Sequence, residues 1–596
     1  MKNKIYEDLS LIRSRAKLTF VFIEILLIVI ILFFWKIQIL DHKKYWEKSE
    51  SNRIREIVQL PRRGLILDRK NRIIAKNKAS FKVSIIRENS NEIKDSYQKI
   101  SSILDLDVEE IGRRVNKYKS MPDFLPIVIK DDLTKKEVSI FESRKIEFPE
   151  FVIQSEPKRD YPNKICASHV VGYLQEISLE EIKNGKYLRK RIGELVGKTG
   201  IEKECESILA GKAGLVREVV DSLGRRKGEI SRIAPKKGRD INLTIDLSLQ
   251  KKAEKLLQGK EGAIVALKAK TGEVLVLASY PSFDPNKFIN RFSPEEWIEL
   301  VNSQEYPLQN RAIRGLYSPG SIFKLVMAVG ALDSNIVNDH TSYFCRGSII
   351  IYGHLFSCWF KPGHGSVDLY NGIKRSCNVY FYQVGKKMGI EKISHYAKIL
   401  GLGEKTGIDL SGEKGGLVPD PEWKRETRNL PWYPGETISV AIGQGPLQVT
   451  PLQIAVQTAL IANRGKKVRP YLLLDKTKEL SFLSVDIKAE NFEKVILGMW
   501  MAVDEKGGTA IAARVSEFEV CGKTGSAQVI SKETAKKLAE TNKIEIKTHS
   551  WFSGFAPRND PEIVVTVIVE HGGGGAVTAA PIAREIFKLY RENYAK

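Results

Sequence analysis

The sequence predicts a multidomain protein of mixed α+β and α/β character, attached to a membrane by a single N-terminal helix. One long apolar run lies near the N-terminus, and helical and strand patterns alternate along the rest of the chain. The 596 residues are 42% hydrophobic and 28% charged, which is an ordinary globular composition for a chain of several domains. A wholly disordered chain, a collagen, a coiled coil and a polytopic membrane protein are therefore excluded.

The net charge and the cysteine content limit the kinds of partner and of scaffold that the protein can have. The net charge of +23 favours an anionic neighbour such as nucleic acid, lipid head groups or wall polymers, and it does not choose among them. The six cysteines are too few for a disulfide-stabilised scaffold.

The apolar run Leu18–Trp35 predicts a membrane anchor. Its only charged residue is Glu24, and 18 residues at about 1.5 Å each nearly cross a hydrocarbon core of roughly 30 Å. With residues 37–40 as an extension, we expect an anchor over 18–40 behind an N-terminal tail of residues 1–17. The alternatives are a buried core helix and a cleaved signal peptide, although no small-x-small cleavage site follows the run. Five Lys/Arg precede the run and six follow it within residues 36–55, so charge alone does not orient the anchor.

Residues 41–235 form a charge-rich region that we interpret as a pedestal. RRGLILDRKNRIIAKN (Arg62–Asn77) predicts a strand, a polar turn at Asp68–Asn71 and a second strand. Residues 197–214 predict a loop that enters a helix. This loop contains the tripeptide Lys198-Thr199-Gly200, which we interpret as part of the pedestal.

Residues 236–596 form the second predicted domain. Ile241–Gln258 predicts a strand and then an amphipathic helix capped at Asp246 or Ser248. Gly262–Ser282 predicts a hairpin with its turn at residues 270–272. The tract His571–Gly575 has neither the lysine nor the following helix of a phosphate-binding loop, so we predict a turn there.

The first motif that carries chemistry is Ser321-Ile322-Phe323-Lys324, which precedes a strongly apolar helical stretch. A spacing of three residues places the hydroxyl and the amine on one face of a helix, one turn apart. A serine needs a base to become a nucleophile, and burial lowers the pKa of a lysine enough for it to serve. The motif alone is common by chance.

Two further motifs follow in order. Ser376-Cys377-Asn378 offers a second hydroxyl and a carboxamide for a hydrogen-bond relay around the nucleophile. Lys523-Thr524-Gly525 lies in a strand-like stretch, whose edge can hold an extended peptide by β-addition. Lys523 and Thr524 can then hold a substrate carboxylate, and Gly525 allows close backbone approach.

The order S-x-x-K, S-x-N, K-T-G is that of the penicillin-recognising serine enzymes. Together with RRGLILDR at Arg62, GLYSPGSIFK at Gly315 and WYPGETISVAIGQGPLQVTPLQ over Trp432–Gln453, the chain resembles the penicillin-binding protein 2 family, the elongation-type class B transpeptidases. The resemblance runs from the anchor to near the C-terminus. No glycosyltransferase domain fits before residue 235, which argues against a bifunctional class A enzyme, and no G-x-S-x-G elbow supports a Ser-His-Asp hydrolase.

The resemblance implies a dimerisation pedestal and a transpeptidase domain built as an antiparallel sheet flanked by helices. It implies a single-pass inner-membrane protein with residues 1–17 as a cytoplasmic tail and with its catalytic domain outside the membrane. The implied activity is peptidoglycan D,D-transpeptidation through a serine acyl-enzyme, with a possible D,D-carboxypeptidase side activity. The implied partners are stem peptides ending in D-Ala-D-Ala, β-lactams, elongation-complex proteins and a glycosyltransferase of the shape–elongation–division–sporulation class, and not nucleic acid.

The resemblance also assigns roles to the motif residues. Ser321 is the expected nucleophile, and Lys324 is the expected base. Ser376 and Asn378 are expected to move the proton and orient the peptide, and Lys523, Thr524 and Gly525 to hold the substrate. The backbone N–H groups of Ser321 and Ser526 are expected to form the oxyanion hole.

Three alternatives stay open at this point. A division-type class B transpeptidase, similar to penicillin-binding protein 3, differs in the cell phenotype on depletion, which is filaments instead of round cells. A β-lactamase would need neither a pedestal nor an anchor. A β-lactam sensor would use additional membrane helices.

The cysteines suggest a second site. Cys345, Cys358, His364 and Cys377 form the pattern C-x12-C-x5-H-x12-C, and Cys345 and Cys358 flank a predicted hairpin with Tyr352-Gly353 at its turn. Three thiolates and one imidazole suit a closed structural Zn²⁺ site, and some members of the family place metal ligands at these four positions. The alternatives are a Cys345–Cys358 disulfide and His354 as the imidazole. The remaining cysteines are predicted to be small buried hydrophobic residues, namely Cys166, Cys205 and Cys521. No organic cofactor is expected.

Overall fold

The computed structural model describes residues 2–87, 93–119, 123, 125–185, 194–221, 226–289, 292–474, 483–528 and 547–594. The helices are α1 (Lys2–Trp35), α2 (His42–Arg53), α3 (Ile93–Leu104), α4 (Val108–Lys117), α5 (Lys135–Ser143), α6 (Ser168–Val171), α7 (Leu179–Lys183), α8 (Gly200–Glu204), α9 (Glu206–Leu209), α10 (Leu247–Leu257), α11 (Pro285–Ile289), α12 (Pro294–Asn302), α13 (Arg311–Arg314), α14 (Lys324–Asp333), α15 (Leu369–Lys374), α16 (Asn378–Ile399), α17 (Pro421–Arg428), α18 (Pro434–Val440), α19 (Pro451–Ala462), α20 (Ala489–Asp504) and α21 (Ala579–Tyr594).

The strands are β1 (Ile54–Gln59), β2 (Ile66–Leu67), β3 (Ile73–Ile85), β4 (Ile127–Lys130), β5 (Phe151–Asp160), β6 (Leu174–Glu176), β7 (Leu195–Gly197), β8 (Gly214–Val220), β9 (Arg226–Ile233), β10 (Ile241–Asn242), β11 (Gly262–Lys268), β12 (Val274–Tyr280), β13 (Tyr343–Cys345), β14 (Ser348–Ile351), β15 (His354–Ser357), β16 (Gly365–Val367), β17 (Lys466–Lys467), β18 (Leu483–Ser484), β19 (Cys521–Ala527), β20 (His549–Ala556) and β21 (Ile563–Val569).

The chain forms two compact units, and the first consists of Met1–Arg62, Ala79–Pro157 and Gly211–Lys237. Helix α1 continues into a π-helical turn, Lys36–Leu40. Within this region Leu11–Leu40 is long and apolar enough to cross a membrane, and its most apolar stretch is not buried within the protein. The predicted N-terminal apolar helix is therefore confirmed, and it begins earlier than residue 18.

The rest of the first unit has a small sheet and a separate apolar cluster. Strand β8 pairs antiparallel with β1 and with β9. Helices α3, α4 and α5 and strand β4 bury apolar side chains against one another, including Ile100, Ile111, Ile129 and Phe141. The Phe141 ring stacks on Phe148, which closes this core.

The second unit consists of Arg63–Lys78, Lys158–Ala210 and Gly238–Lys596. Strands β2 and β3 pair around the predicted polar turn, where Asp68 accepts hydrogen bonds from the N–H groups of Lys70 and Arg72. The predicted boundary near residue 235 stays a prediction.

A buried charge network fixes the pedestal residues of the second unit. The fully buried Glu202 carboxylate accepts from Arg63 Nε at 2.6 Å and from Arg159 Nε at 2.7 Å. The Tyr161 hydroxyl donates to the same carboxylate at 3.0 Å. Arg63 Nη2 also pairs with the Glu206 carboxylate at 2.7 Å, so two carboxylates balance the two guanidinium groups in an interior where an unpaired charge is costly.

An antiparallel sheet in the order β12-β11-β21-β20-β19 forms the centre of the second unit. Along β11, Ala263 and Val265 face a core that includes α14, α16 and α19, whereas Ile264 and Ala266 face a core that includes α10 and α21. Because both faces are covered by helices, the strands are apolar on both sides. The predicted antiparallel sheet flanked by helices is confirmed.

The local predictions for this unit agree with the structure. Asp246 caps α10 by accepting from the N–H groups of Ser248 and Leu249. Strands β11 and β12 form the predicted hairpin. His571 has a φ of 51° in a turn after β21, so the glycine-rich tract is a turn as predicted.

Candidate active site

Ser321 lies in a 3₁₀ turn, Gly320–Phe323, and Lys324 begins α14 directly after it. The two residues lie one helical turn apart, as the spacing predicts, and the turn that carries Ser321 is a 3₁₀ turn. Gly320, which begins this turn, has a φ of 54°, and its N–H donates to the carbonyl of the distant Gly443 at 2.9 Å. With three residues per turn, positions i and i+3 still lie on one face.

Lys324 is fully buried, and its amine holds the second motif. Nζ donates to the Ser376 carbonyl at 2.8 Å, to Ser376 Oγ at 3.2 Å and to Asn378 Oδ1 at 2.7 Å. Burial lowers the pKa of Lys324 from 10.5 to about 8. The amine can therefore release a proton near neutral pH, as general base catalysis requires.

The second motif occupies the turn between α15 and α16. Ser376 has a φ of 55°, and Cys377 is the N-cap residue of α16. Asn378 Nδ2 donates to the Ser357 carbonyl at 3.4 Å, which joins the motif to the end of β15. Strands β14 and β15 form the predicted hairpin, with Tyr352 and Gly353 at its turn.

The third motif lies on β19, the last strand in the order of the described sheet. A Cβ atom on Gly525 would lie 3.0 Å from the Pro319 carbonyl oxygen. A Cβ atom on Gly320 would lie 2.8 Å from the Ser526 carbonyl oxygen. The strand and the turn that carries Ser321 are therefore in direct contact, and the three motifs meet at one place.

The side chains of β19 are mostly buried. Lys523 Nζ donates to the Thr524 carbonyl at 3.0 Å, and Thr524 Oγ1 donates to the Thr509 carbonyl at 3.4 Å. Burial, and secondly the charge of Lys324, hold the pKa of Lys523 well below 10.5. Two lysine amines therefore share one interior region, and an incoming anion would be stabilised there.

The other K-T-G tripeptide, Lys198-Thr199-Gly200, has a structural role. Thr199 precedes α8, and Lys198 forms an ion pair with Glu181. Gly200 has a φ of 60°, and a Cβ atom there would lie 2.5 Å from the Gly172 nitrogen. The glycine thus allows two backbone segments to meet, in agreement with our interpretation of this tripeptide.

The four proposed metal ligands come together. The ligand atoms of Cys345, Cys358, His364 and Cys377 all lie within 4.8 Å of one another. His364 Nδ1 lies 3.7 Å from Cys345 Sγ and 3.5 Å from Cys358 Sγ, and all three thiols are buried. His354 lies on the exposed hairpin strand β15 and is outside this group. All six cysteines are free thiols, and Cys166, Cys205 and Cys521 are buried as predicted.

The four donors fit a zinc ion by chemistry and by spacing. Two thiolate ligands about 2.3 Å from a tetrahedral zinc ion lie about 3.8 Å from each other. The four donor atoms here lie within 4.8 Å of one another, so a small movement would bring them to that spacing. Three thiolate sulfurs and one imidazole nitrogen are donors that suit zinc, and among the described residues no carboxylate belongs to the group.

The structure adds site residues to which the motifs gave no role. Gly443 holds Gly320, and Gln444 Nε2 donates to the Ser526 carbonyl at 3.4 Å. Trp551, opposite Gly525 in the neighbouring strand, donates from Nε1 to the Ser318 carbonyl at 3.1 Å. Gly443 and Gln444 lie in the stretch Trp432–Gln453, which carries part of the family resemblance. The resemblance therefore indicated this segment but not the contacts of these two residues.

Family models match most of the chain. A model described as the penicillin-binding protein transpeptidase domain matches residues 262–588, which is more than half of the chain. A model described as the penicillin-binding protein dimerisation domain matches residues 58–243. A protein of Haemophilus influenzae named peptidoglycan D,D-transpeptidase MrdA is 34% identical over 588 residues, 96% of this chain and 90% of that protein. The chain belongs to the penicillin-binding protein 2 family.

Solved structures of penicillin-binding protein 2 agree with this assignment. The Helicobacter pylori protein in complex with MreC has a TM-score of 0.81 at 31% identity, over 91% of this chain and 99% of that one. A structure from a peptidoglycan synthase complex that coordinates polymerization and crosslinking has a TM-score of 0.72 at 30% identity, over 97% of this chain and 98% of that one. The predicted fold class, family and elongation-type D,D-transpeptidase activity are confirmed, and the elongation type is favoured over the division type.

Proposed function

We propose that this protein cross-links peptidoglycan stem peptides during cell elongation through an acyl-enzyme on Ser321. The observation that carries the proposal is the buried Lys324 amine, which contacts both residues of the second motif next to the turn that bears Ser321. A lysine whose pKa is lowered to about 8 by burial can accept the serine proton.

In the first step Ser321 Oγ attacks the carbonyl of the penultimate D-Ala, and Lys324 Nζ takes the hydroxyl proton. The oxygen of the tetrahedral intermediate accepts hydrogen bonds from the backbone N–H groups of Ser321 and Ser526. Removal of one such donor costs about 3 kcal/mol in typical acyl-transfer enzymes. The proton then passes to the leaving amine of the terminal D-Ala through Ser376 Oγ, which lies 3.2 Å from the lysine.

In the second step the amine of another stem peptide attacks the acyl-enzyme. Lys324, through Ser376, takes the proton of this amine and returns it to Ser321 Oγ as the ester bond breaks and the new amide bond forms the cross-link. Water in place of the amine would give a carboxypeptidase side activity. A β-lactam would acylate Ser321 by the same attack, and its opened ring would remain attached.

The third motif would bind the donor peptide. An extended peptide adds to β19 by backbone hydrogen bonds, and the absence of a side chain at Gly525 lets it approach. Lys523 and Thr524 then face the terminal carboxylate. Because burial favours the neutral form of Lys523, the carboxylate would supply the charge that stabilises its ammonium form.

The apolar helix supports single-pass membrane attachment. We infer that residues 1–17 lie in the cytoplasm and that the catalytic unit lies on the outer side of the inner membrane, where peptidoglycan is cross-linked. The similarity to structures solved with MreC and from a synthase complex supports partners in the elongation machinery. A glycosyltransferase of the shape–elongation–division–sporulation class is the partner that we expect at the anchor.

We further propose that Cys345, Cys358, His364 and Cys377 hold a structural zinc ion. The proximity of their donor atoms supports this. The ion would cross-link the hairpin segment, β16 and the start of α16, and it would take no part in the acyl transfer. Cys377 stands between Ser376 and Asn378, so the ion would fix the backbone that presents both side chains.

The decisive test of the catalytic proposal is the intact mass of the full-length protein after benzylpenicillin treatment. Wild-type protein should gain one penicillin, and Ser321→Ala should gain none. Ser334→Ala is a matched control, because that hydroxyl lies at the other end of α14 and bonds to the Gly330 carbonyl. Labelling of Ser321→Ala would overturn the assignment of the nucleophile.

A further inference from the structure

The segment that leads to Ser321 is attached to the central sheet by Tyr317. The Tyr317 hydroxyl donates to Glu570 Oε1 at 2.7 Å, and Tyr317 is 7% exposed. Arg311 Nε donates to the same oxygen at 2.7 Å, and Arg311 is 2% exposed. Glu570 directly follows β21, the middle strand of the sheet order, so this carboxylate is a fixed point of the sheet.

Arg311 is itself held by further hydrogen bonds. Its Nη2 donates to Glu261 Oε2 at 3.1 Å and to the Glu305 carbonyl at 2.9 Å. The N–H of Glu570 donates to the Glu261 carbonyl at 2.7 Å. The buried guanidinium and the carboxylate therefore hold each other, and the Tyr317 hydroxyl binds to a group that has little freedom to move.

The ring of Tyr317 reaches the K-T-G strand through Trp551. The two rings meet edge to face with centroids 6.0 Å apart. Trp551 donates to the Ser318 carbonyl and lies opposite Gly525 of β19. A Cβ atom on Gly525 would lie 3.1 Å from the Cβ of Trp551. One pair of aromatic rings thus contacts both the nucleophile segment and the substrate-binding strand.

Backbone hydrogen bonds hold the other side of the segment. Tyr317 and Val449 exchange two backbone hydrogen bonds of 3.0 and 2.9 Å, and Gly320 donates to Gly443. These bonds restrain the segment along one edge. The side chains of Tyr317 and Trp551 restrain the segment on the sheet side, next to β19.

We propose that Tyr317, held by Glu570 and Arg311, is a positioning residue that sets Ser321 against the K-T-G strand for the acylation step. It acts through Ser321 and does not touch the substrate. The inference rests on the proposed function, because it presumes that Ser321 is the nucleophile. Acyl transfer depends steeply on the geometry of attack, so a small displacement of the serine slows acylation more than it weakens binding.

The test is Tyr317→Phe in the full-length protein in detergent micelles, with a fluorescent penicillin followed by stopped-flow. The variant keeps the ring against Trp551 and loses the bond to Glu570. We expect the acylation rate constant to fall by about tenfold, the size expected from losing a hydrogen bond to a charged group, with unchanged affinity of the preacylation complex. The labelled fraction should remain complete.

Tyr380→Phe is the matched control. Tyr380 is fully buried in the same unit, and its hydroxyl has no hydrogen-bond partner among the residues that the structure describes. This change should leave the rate constant unaltered. Glu570→Gln should slow acylation as well, and the double variant with Tyr317→Phe should be little slower than the slower single variant, because the two side chains act as one unit.

Two results would overturn the inference. One is a rate constant for Tyr317→Phe equal to that of Tyr380→Phe. The other is a reduced labelled fraction that reacts at the wild-type rate, which would show that Tyr317 only supports folding. Labelling of Ser321→Ala would instead defeat the proposed function itself, so the two failures are distinguishable.

Discussion

Replacing Lys324 by Arg tests whether a neutral amine is the base for acylation. The substitution keeps a positive charge and a long side chain in the same buried place. It removes the ability to lose a proton near neutral pH, because the guanidinium stays charged in proteins. We expect a folded protein that binds penicillin without becoming acylated.

The size of the effect follows from the pKa of the amine. Burial lowers the pKa of Lys324 to about 8, so about half of the wild-type protein carries the neutral amine at pH 8. An arginine with a pKa above about 12 leaves less than about one molecule in a thousand neutral at that pH. Acylation should therefore slow by at least about a thousandfold.

The same pKa sets the sign of the pH dependence in the wild-type protein. Acylation needs the deprotonated amine, so its rate constant should rise as the pH rises through about 8 and become constant above it. Below pH 7 it should fall by about tenfold for each pH unit, since the neutral fraction falls in that proportion.

Stopped-flow acylation with a fluorescent penicillin between pH 6 and 9 measures both effects. Lys424→Arg is the matched control, because Lys424 is buried and its amine is paired with Glu436 at 2.6 Å. The control should keep the wild-type rate and pH profile. A near wild-type rate in Lys324→Arg, or a flat wild-type profile, would show that another group is the base.

Two further predictions concern the interior of the second unit. Cys377→Ser should lose zinc, lower the melting temperature and slow acylation, whereas Cys205→Ser should keep the metal. Elemental analysis of protein prepared without chelator or a metal-affinity tag measures the zinc content. Zinc near zero in the wild type, with two thiols missing from a thiol count of the denatured protein, would favour the Cys345–Cys358 disulfide. Glu202→Gln should lower the unfolding free energy by about 3–5 kcal/mol, because the buried Arg159 guanidinium loses its counter-charge while Arg63 keeps Glu206. An unchanged denaturation midpoint would contradict this.

The sequence predicted the features that depend on neighbouring residues. The apolar helix, the β11–β12 hairpin and the Asp246 cap follow from local patterns, because side-chain period and capping act over a few residues. The motif order predicted which residues would meet. It did not predict that Ser321 lies in a 3₁₀ turn, since this depends on Gly320 bonding to Gly443 more than a hundred positions away.

Contacts between residues far apart in the chain could not be predicted from the sequence. Tyr317 and Glu570 are separated by 253 positions, and Arg311 and Glu570 by 259. No local pattern indicates which carboxylate a buried guanidinium will find. For the same reason no local pattern indicated that residues 63–78 and 158–210, within the predicted pedestal, make their contacts in the compact unit that contains the sheet.

The burial of Lys523 has a consequence for selectivity at chain ends. Its amine contacts the Thr524 carbonyl inside the protein, where burial and the neighbouring Lys324 disfavour its positive charge. Only a ligand that carries an anion at that position would recover the free energy of protonating it. An internal peptide bond has no such anion, so existing cross-links and ordinary protein chains would be poor substrates even if they reached the cleft. Discrimination between a free terminus and a continuous chain would then depend on a lysine that has no ion-pair partner among the residues described by the structure until a terminal carboxylate binds.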